Sequence, residues 1–487
     1  MLSNQNVGGS HSLSFLFVLL VAVTGVALGV LIPVTDSALK AIVITVGAIG
    51  AILTLFRVDI GLYGLILMAY LRISDIAIDY YGAPSVFKPF IALLVVAILI
   101  QWMRARSVQK GWGRAVLLVL AYGLVVFTTL LYANDFATAG HAVSDFAKNG
   151  VITILLAILI QSRSTFKGAM WTIVAAGIFT GTISVFQYLT GSFTNAYGGF
   201  GQAEILNIVT GVDDFRISGP IGDPNFYAQI LVVIVPIAFH FMMTEQKLLL
   251  RGLAAWCLGV CGLSIVFTFS RGGAIALAIV LVCLLFYRRP KPAEIFLMAL
   301  LVVGLLAVMP DSYTSRLNTI GQIATGKTDV REEASFRGRL SELLVAWQMF
   351  MDHPILGVGV GNYPNYYQSY SRQIGLDPRT ENREPHNLFM EVAAETGLVG
   401  LIVFVGILYF SFKSVLDAWR KFRELDLPDY AGLVAVFGIG LIGYFAAAMF
   451  IHGAYPRYLW LLVGIALALP QVVKNTRAEL KLEHGGY

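Results

Sequence analysis

The sequence predicts an all-α polytopic membrane protein, and three observations support this fold class. Of the 487 residues, 57% are hydrophobic and only 13% are charged, and the mean hydropathy is +0.76. Soluble proteins carry roughly 25% charged residues, so this chain has too few charges to cover a water-facing surface of its size. Apolar runs of about 20 residues recur along the sequence, and each could cross a bilayer as a helix. We therefore expect about 12–14 transmembrane helices and one large polar loop.

Fourteen apolar runs qualify as candidate spans, and the third and sixth are the weakest. They cover residues 13–32, 38–56, 59–71, 86–103, 113–132, 143–160, 168–190, 225–244, 249–268, 272–288, 294–309, 387–412, 430–451 and 457–473. No Lys or Arg precedes the first run and no clear cleavage site follows it, so we interpret it as a retained span. The cysteines, Cys257, Cys261 and Cys283, lack metal-ligand spacing and are expected to act as small hydrophobic residues.

The short loops between these runs indicate the orientation in the membrane. Nineteen Lys and Arg residues fall in the short segments on one side and six in those on the other. Because cytoplasmic loops carry the excess of basic residues, we place both termini in the cytoplasm and the long polar loop outside it. We divide the chain into four parts: 1–190, 191–309 with an outer loop 191–225, the large loop 310–386, and 387–487.

The large loop carries structure of its own. Residues 337–351 place apolar residues at a helical period, which predicts an amphipathic helix that either lies along the membrane surface or caps the bundle. Alternating glycines follow at 357–361, and we expect a tight turn there rather than a nucleotide-binding loop. Tyr363 and its neighbouring tyrosines suit either anchoring at the membrane interface or stacking against sugar rings.

His386 is the leading candidate for a catalytic residue. It follows Pro385, which suits the first turn of a helix, and an apolar run begins directly after it. We therefore expect His386 at a helix N-terminus, at the outer membrane boundary, where the helix dipole disfavours its protonated form. A neutral imidazole can act as a general base, and the alternative is a structural hydrogen bond at the interface.

Arginines on the same side are candidates for binding an anion. Arg271 lies in a tight Ser-Arg-Gly-Gly turn and Arg216 in a loop interrupted by Gly and Pro. The planar guanidinium suits a diphosphate, although Arg271 could instead form a salt bridge or simply set topology. Arg337, Arg339 and Asn387 are additional candidates for substrate contacts. Asp223 is expected to cap the helix that follows it, with Pro224 in the first turn.

These motifs together resemble the O-antigen ligase and O-antigen polymerase superfamily of bacterial envelope enzymes. The resemblance extends over roughly residues 170–470, and each motif alone is loose. The motifs that carry it are Arg-x-Ser-Gly-x-x-x-Asp-Pro-Asn at 216–225, Phe-Ser-Arg-Gly-Gly at 269–273, the Arg-Gly-Arg-Leu to Gly-Asn run at 337–362, His-Asn-x-x-x-Glu at 386–391 and Glu-Thr-Gly-Leu-x-Gly at 395–400.

The resemblance implies a GT-C-like fold and the transfer of a glycan from undecaprenyl diphosphate at the periplasmic face. It implies an inverting displacement without a metal or another cofactor. His386 would be the base or would position the acceptor, and Arg216 and Arg271 would hold the diphosphate leaving group. The acceptor would be lipid A–core for a ligase or a second lipid-linked glycan for a polymerase. The implied partners are therefore glycolipids and membrane lipid, and no nucleic acid is expected.

Two other functions remain open from the residues alone. A transporter or flippase for polysaccharide would suit the many spans and the paired arginines. Against it, few ionisable residues lie within the spans, and no two spans form a matching Gly/Pro-broken pair. A non-catalytic partner in envelope assembly is the third reading.

Overall fold

The computed structural model describes residues 50–106, 108–205, 215–288, 334–376, 380–454 and 456–484. Within these ranges the chain is almost entirely helical, with one short β-hairpin. The helices are α1 Val58–Tyr70, α2 Ile73–Tyr81, α3 Phe87–Ala105, α4 Gly113–Thr128, α5 Phe136–Leu159, α6 Arg163–Leu189, α7 Pro224–Thr244, α8 Leu248–Phe267, α9 Arg271–Arg288, α10 Ala334–Asp352, α11 Tyr363–Ile374, α12 Leu388–Glu424, α13 Pro428–Ala448 and α14 Arg457–His484; the strands are β1 Gln202–Ile205 and β2 Phe215–Gly219.

The polytopic fold class is confirmed. Among the described residues, nine helices are long and apolar enough to cross a membrane: α3, α4 with the turn after it, α5 to α8, and α12 to α14. Helices α1 and α2 form a tenth candidate that bends by 51°, and α9 is apolar but shorter. The predicted spans 13–32 and 294–309 lie outside the described residues, and 38–56 lies largely outside them.

Local sequence explains where several helices begin. The Asp223 carboxylate accepts hydrogen bonds from the backbone N–H groups of Asn225 (2.7 Å) and Phe226 (2.9 Å), and Pro224 occupies the first position of α7. The predicted cap at Asp223 is therefore confirmed. Asp135 caps α5 in the same way, and Ser162 and Thr165 form a capping box at the start of α6.

Helix α7 lies at the centre of the bundle. It packs against α8, α9 and α13, and most of its side chains are buried. Helix α14 is also largely buried and packs against α5 and α12. At that junction Trp460 meets Phe146 edge to face, with ring centroids 4.9 Å apart. Small residues allow close helix contact, because a Cβ at Gly464 would come within about 3 Å of Thr153 and Leu156.

Helix α12 is broken, and the loop after α10 completes it. Gly397 has φ 61° and ψ −163°, so the helical ladder is interrupted there. The amides of Val358 and Gly359 donate to the carbonyls of Ala394 and Glu395, both at 2.9 Å. In return, the amides of 398 and 399 donate to the carbonyls of 354 and 355. The loop backbone thereby satisfies the groups that the break leaves open.

Two glycines permit this approach. A Cβ at Gly357 would lie 2.3 Å from the Glu395 carbonyl carbon, and one at Gly397 would lie 2.3 Å from the Ile355 carbonyl oxygen. Both residues also have positive φ, which favours glycine. The glycine-rich segment 357–361 therefore allows the loop backbone to pack directly against the backbone of α12 at its break.

Candidate active site

Helices α10 and α11 lie at one end of the bundle, which we call the loop end. The start of α7, the turn that begins α9, the segment 383–387 and the segment 449–454 meet there. They bring together most of the sequence-predicted residues, and three further residues to which the sequence assigned no role in the site.

His386 lies just outside a helix rather than within its first turn. Helix α12 begins at Leu388, and Asn387 is its N-cap. His386 has φ 42°, a left-handed conformation that is uncommon for a residue with a side chain. The helix therefore begins later than predicted: Pro385 was expected in its first turn, but the side chain of Asn387, two residues further on, supplies the cap.

The Nδ1 atom of the His386 ring faces two oxygen atoms. It lies 3.0 Å from the Glu384 carbonyl oxygen and 2.9 Å from Glu342 Oε2. The contact with Glu342 has ion-pair distance without hydrogen-bond geometry, so the Nδ1 hydrogen is directed at the carbonyl. Because a carbonyl only accepts, the neutral ring carries its proton on Nδ1 and has its lone pair on Nε2. A carboxylate beside Nδ1 also stabilises the ring when it becomes protonated.

Glu342 comes from α10 and is completely buried. Its second oxygen, Oε1, accepts a hydrogen bond from Arg383 Nε at 2.9 Å. A buried carboxylate is costly unless charged partners surround it, so Arg383 and His386 account for its presence. The nearby Glu384 carboxyl lies in a partly buried position, and this burial raises its pKa above the usual range.

His452 lies beside His386. The two rings meet edge to face with centroids 5.4 Å apart. The His452 ring also meets the Phe226 ring edge to face, with centroids 5.3 Å apart. Burial, and to a smaller extent the charge of His386, lowers the pKa of His452 to about 3. His452 is therefore neutral at physiological pH and adds no positive charge against a protonated His386.

Asn387 and Glu391 fix the segment that carries His452. Asn387 caps α12 with its side-chain oxygen and donates from Nδ2 to the Met449 carbonyl at 3.0 Å. Glu391 Oε2 accepts hydrogen bonds from the amides of Gly453 (2.6 Å) and Ala454 (3.0 Å). Both polar atoms of the Asn387 side chain thus form hydrogen bonds within the protein, and its position suits a structural role that supports the site.

Arg216 belongs to a second cluster that centres on Asn225. Arg216 Nε donates to the Thr268 carbonyl at 2.9 Å, and Nη2 donates to Asn225 Oδ1 at 3.1 Å. The Ser270 hydroxyl donates to the same Asn225 oxygen at 2.9 Å. The hairpin also brings Glu204 within 3.9 Å of Arg216, and burial raises the pKa of Glu204. Asn225 therefore links the β2 arginine to the turn that precedes α9.

A cleft opens between this turn, α10 and the segment 449–451. It is narrow, with about 10 Å³ of water-sized space, and its lining includes Asn225, Ser270, Gly272, Arg339 and Phe450. Arg271 is the first residue of α9, so its position places a cation at the helix N-terminus beside the cleft. The dipole and free N–H groups of a helix N-terminus favour anions, and the lining arginine adds a full positive charge.

Other predicted residues take different positions. Tyr363 is completely buried, and its hydroxyl donates to the Glu342 carbonyl at 2.6 Å. Arg337 is partly buried at the start of α10, and its Nε has no hydrogen-bond partner among the described residues. Within the same described ranges, no three His, Cys, Asp or Glu side chains are grouped as a metal site.

Sequence reasoning missed Glu342, Asn225 and His452. Glu342 has a partial signal, because it is the only charged residue between Arg339 and Asp352, but it lies off the apolar stripe of the predicted helix, which the structure leaves exposed. Asn225 is the last residue of the 216–225 motif, but no role of its own was predicted for its side chain. His452 carries no comparable signal, since it stands alone in a short connection between two spans.

The loop end and the helices behind it define a class of protein: a polytopic membrane protein with a carboxylate-supported histidine and clustered arginines at one end of the bundle. Residues 253–405 match the family model described as O-antigen ligase. The match confirms the resemblance to the O-antigen ligase and polymerase superfamily, and it supports a membrane glycan ligase or polymerase that acts as a glycosyltransferase-like enzyme. A comparison with curated proteins gives no match.

Proposed function

We propose that this protein is an inner-membrane glycosyltransferase that moves a glycan from undecaprenyl diphosphate to an acceptor hydroxyl at the periplasmic face. The acceptor is lipid A–core if the protein is a ligase, or a second lipid-linked glycan if it is a polymerase. The observation that carries this proposal is the position of the His386 ring, whose Nδ1 lies 3.0 Å from the Glu384 carbonyl and 2.9 Å from Glu342, so that the neutral ring has its lone pair on Nε2.

In this proposal His386 is the general base. Nε2 accepts the proton of the attacking hydroxyl as the acceptor oxygen bonds to the anomeric carbon of the donor sugar. The carboxylate of Glu342 stabilises the resulting imidazolium, and the hydrogen bond from Arg383 to its other oxygen keeps it oriented. Neutral His452 lets this positive charge form without a second cation beside it.

The arginine cluster is proposed to act on the leaving group. As the bond from the anomeric carbon to the diphosphate oxygen breaks, its electron pair moves to that oxygen and the departing diphosphate gains negative charge. Arg216 and Arg271 would stabilise this charge, and Arg339 joins them as a wall of the cleft. Asn225, Thr268 and Ser270 hold the cluster in place.

The two clusters share the segment 449–454. Met449 accepts from Asn387, Phe450 lines the cleft, and His452 touches both His386 and Phe226. A base and a cation cluster that both contact this segment are what an attacking hydroxyl and a departing diphosphate require. We therefore assign Asn387, Glu391 and Tyr363 to positioning roles and not to contacts with the reacting atoms.

The test is a reconstituted reaction in nanodiscs. Purified protein receives undecaprenyl diphosphate–linked oligosaccharide without ATP, with and without EDTA, and released undecaprenyl diphosphate is measured. Lipid A–core is added to half of the reactions, and His386→Ala runs alongside. We expect the variant to lose activity by about 10²- to 10⁴-fold, the usual contribution of a general base.

Each outcome has a defined meaning. Release that requires lipid A–core identifies a ligase, and release with longer lipid-linked chains in its absence identifies a polymerase. Loss of activity in EDTA contradicts the metal-independent mechanism. No release from folded protein with a matching glycan contradicts the transferase, and trapping of substrate on the cytoplasmic side in a His386→Ala strain would favour the flippase instead.

A further inference from the structure

The two faces of α10 have opposite surroundings. Its inward face carries Ser341, Glu342, Val345, Ala346 and Met349, all of which are buried against the rest of the loop end. Its outward face is exposed and apolar. This face consists of Leu343, Leu344, Trp347 and Met351, spaced at a helical period, and it continues into Ile355 and Leu356.

The exposed fractions are large for side chains of this kind. Trp347 is 52% exposed, Met351 56% and Ile355 66%. No charged residue occurs between Glu342 and Asp352, and the exposed side chains in that stretch are all apolar. Contiguous exposed apolar surface of this kind indicates an interaction surface.

Helix α11 provides a contrast within the same loop. Its exposed residues are polar, including Asn365, Ser369 and Arg372, and its tyrosines at 363 and 367 are buried. It thus has the pattern of a helix that faces water. The apolar exposure of α10 is therefore specific to that helix and does not reflect a general property of the loop.

The outward face of α10 is continuous with the lipid-facing side of a membrane span. The carbonyls of Pro354 and Ile355 accept hydrogen bonds from the amides of Leu398 (2.8 Å) and Val399 (3.2 Å). Leu398 and Val399 are exposed, and the apolar exposure continues along α12 at Ile402 and Val405. Helix α12 is one of the candidate spans, so this surface lies against lipid.

We propose that α10 lies sideways in the bilayer leaflet at the loop end, with Leu343, Leu344, Trp347 and Met351 among the acyl chains. The lipid then holds the outward face of α10 while the inward face presents Glu342 to His386. The occupant of the surface is the bilayer itself, because the apolar face continues beyond Asp352 and His353 into Ile355, Leu356 and the exposed apolar side of α12. This proposal rests on the membrane fold and not on the transferase activity.

The test places a fluorescent probe on each helix of the loop. Full-length protein carrying Cys283→Ala is labelled with an environment-sensitive dye at Met351→Cys on α10, or at Ser369→Cys on α11 as the matched control. Trp347→Cys is a second α10 variant if Met351→Cys fails to fold. The proteins are reconstituted into phosphatidylcholine nanodiscs with or without doxyl-labelled lipid.

We expect blue-shifted emission at 351 that doxyl lipid quenches at least about twofold, since an interfacial helix is buried by about 5–10 Å. The label at 369 should show water-like emission and little quenching. Water-like emission at 351 would overturn the proposal. Blue-shifted emission at 351 that doxyl lipid leaves unquenched would also overturn it, because a second copy or another segment of this chain would then cover the face.

Discussion

At the scale of single residues, the His386 ring is defined by what its Nδ1 atom contacts. The Glu384 carbonyl fixes the tautomer, and buried Glu342 supplies negative charge where an imidazolium would form. His386 itself was evident from the sequence because a lone histidine precedes an apolar run. Its partner was not, since Glu342 lies 44 positions earlier and off the apolar stripe of its helix, so periodicity gives no reason to expect it inside.

Replacement of Glu342 by glutamine should reduce activity while leaving donor binding nearly intact. The amide keeps the shape of the side chain but removes the charge that stabilises imidazolium. We expect kcat to fall about 10- to 100-fold with a small change in KM. Glu381→Gln is the control, because Glu381 is exposed and only 3.9 Å from the same Arg383. Equal losses in both variants would contradict a specific role for Glu342.

Burial of His452 predicts an acid-side loss of stability. Its pKa is lowered from 6.5 to about 3 in the folded protein, so below pH 6.5 the unfolded chain binds the proton first. Stability from this residue is present above that pH and is lost as pH falls towards 3. His452→Phe should therefore lose less thermal stability than the wild type between pH 6.5 and pH 4, measured as the unfolding midpoint in detergent. Parallel curves for the two proteins would contradict this assignment.

At the scale of secondary-structure elements, the central feature is the break in α12. The predicted run 387–412 is apolar and was correctly identified as a span, and the predicted amphipathic helix 337–351 lies inside α10. The docking of 354–359 into the break was not predicted. The glycines at 357–361 predict that the loop backbone approaches another part of the chain closely. They do not show that this partner is the backbone beside Gly397, which lies 40 positions after Gly357.

Alanine at Gly397 should disrupt the docked segment. The new Cβ would lie 2.3 Å from the Ile355 carbonyl oxygen, and the backbone conformation at 397 is one that side chains disfavour. We expect a loss of more than about 3 kcal/mol in stability. Gly406→Ala in the same helix meets no atom within 4 Å and should change stability by about 1 kcal/mol or less. A tolerated Gly397→Ala would show that the loop can move away.

At the scale of the whole molecule, composition was sufficient to predict the fold class. The order of the motifs was sufficient to predict the superfamily. The arrangement of the two clusters around segment 449–454 required the structure. Arg216, Asn225 and Arg339 come from three separate elements, and no periodicity in one element specifies its neighbours. The hairpin that carries Arg216 was expected only as a loop.

The orientation inferred from basic residues has a direct test. We predict that Ser369→Cys, in a Cys283→Ala background, reacts with a membrane-impermeant maleimide in intact spheroplasts. Glu424→Cys, at the basic end of α12, should react only after permeabilisation, because excess Lys and Arg residues mark the cytoplasmic side. The reverse pattern would invert the topology and place the candidate site in the cytoplasm.

The shared backbone of α12 and the loop has a consequence for building hybrid proteins. Residues 354–359 and 394–399 complete each other's hydrogen bonds, so neither forms a finished structure without the other. A chimera that imports segment 334–387 from a related chain must import 394–399 with it, or the graft will lack the partner that holds it. In a recombination experiment these two stretches must therefore be exchanged together, although more than 30 residues separate them in the sequence.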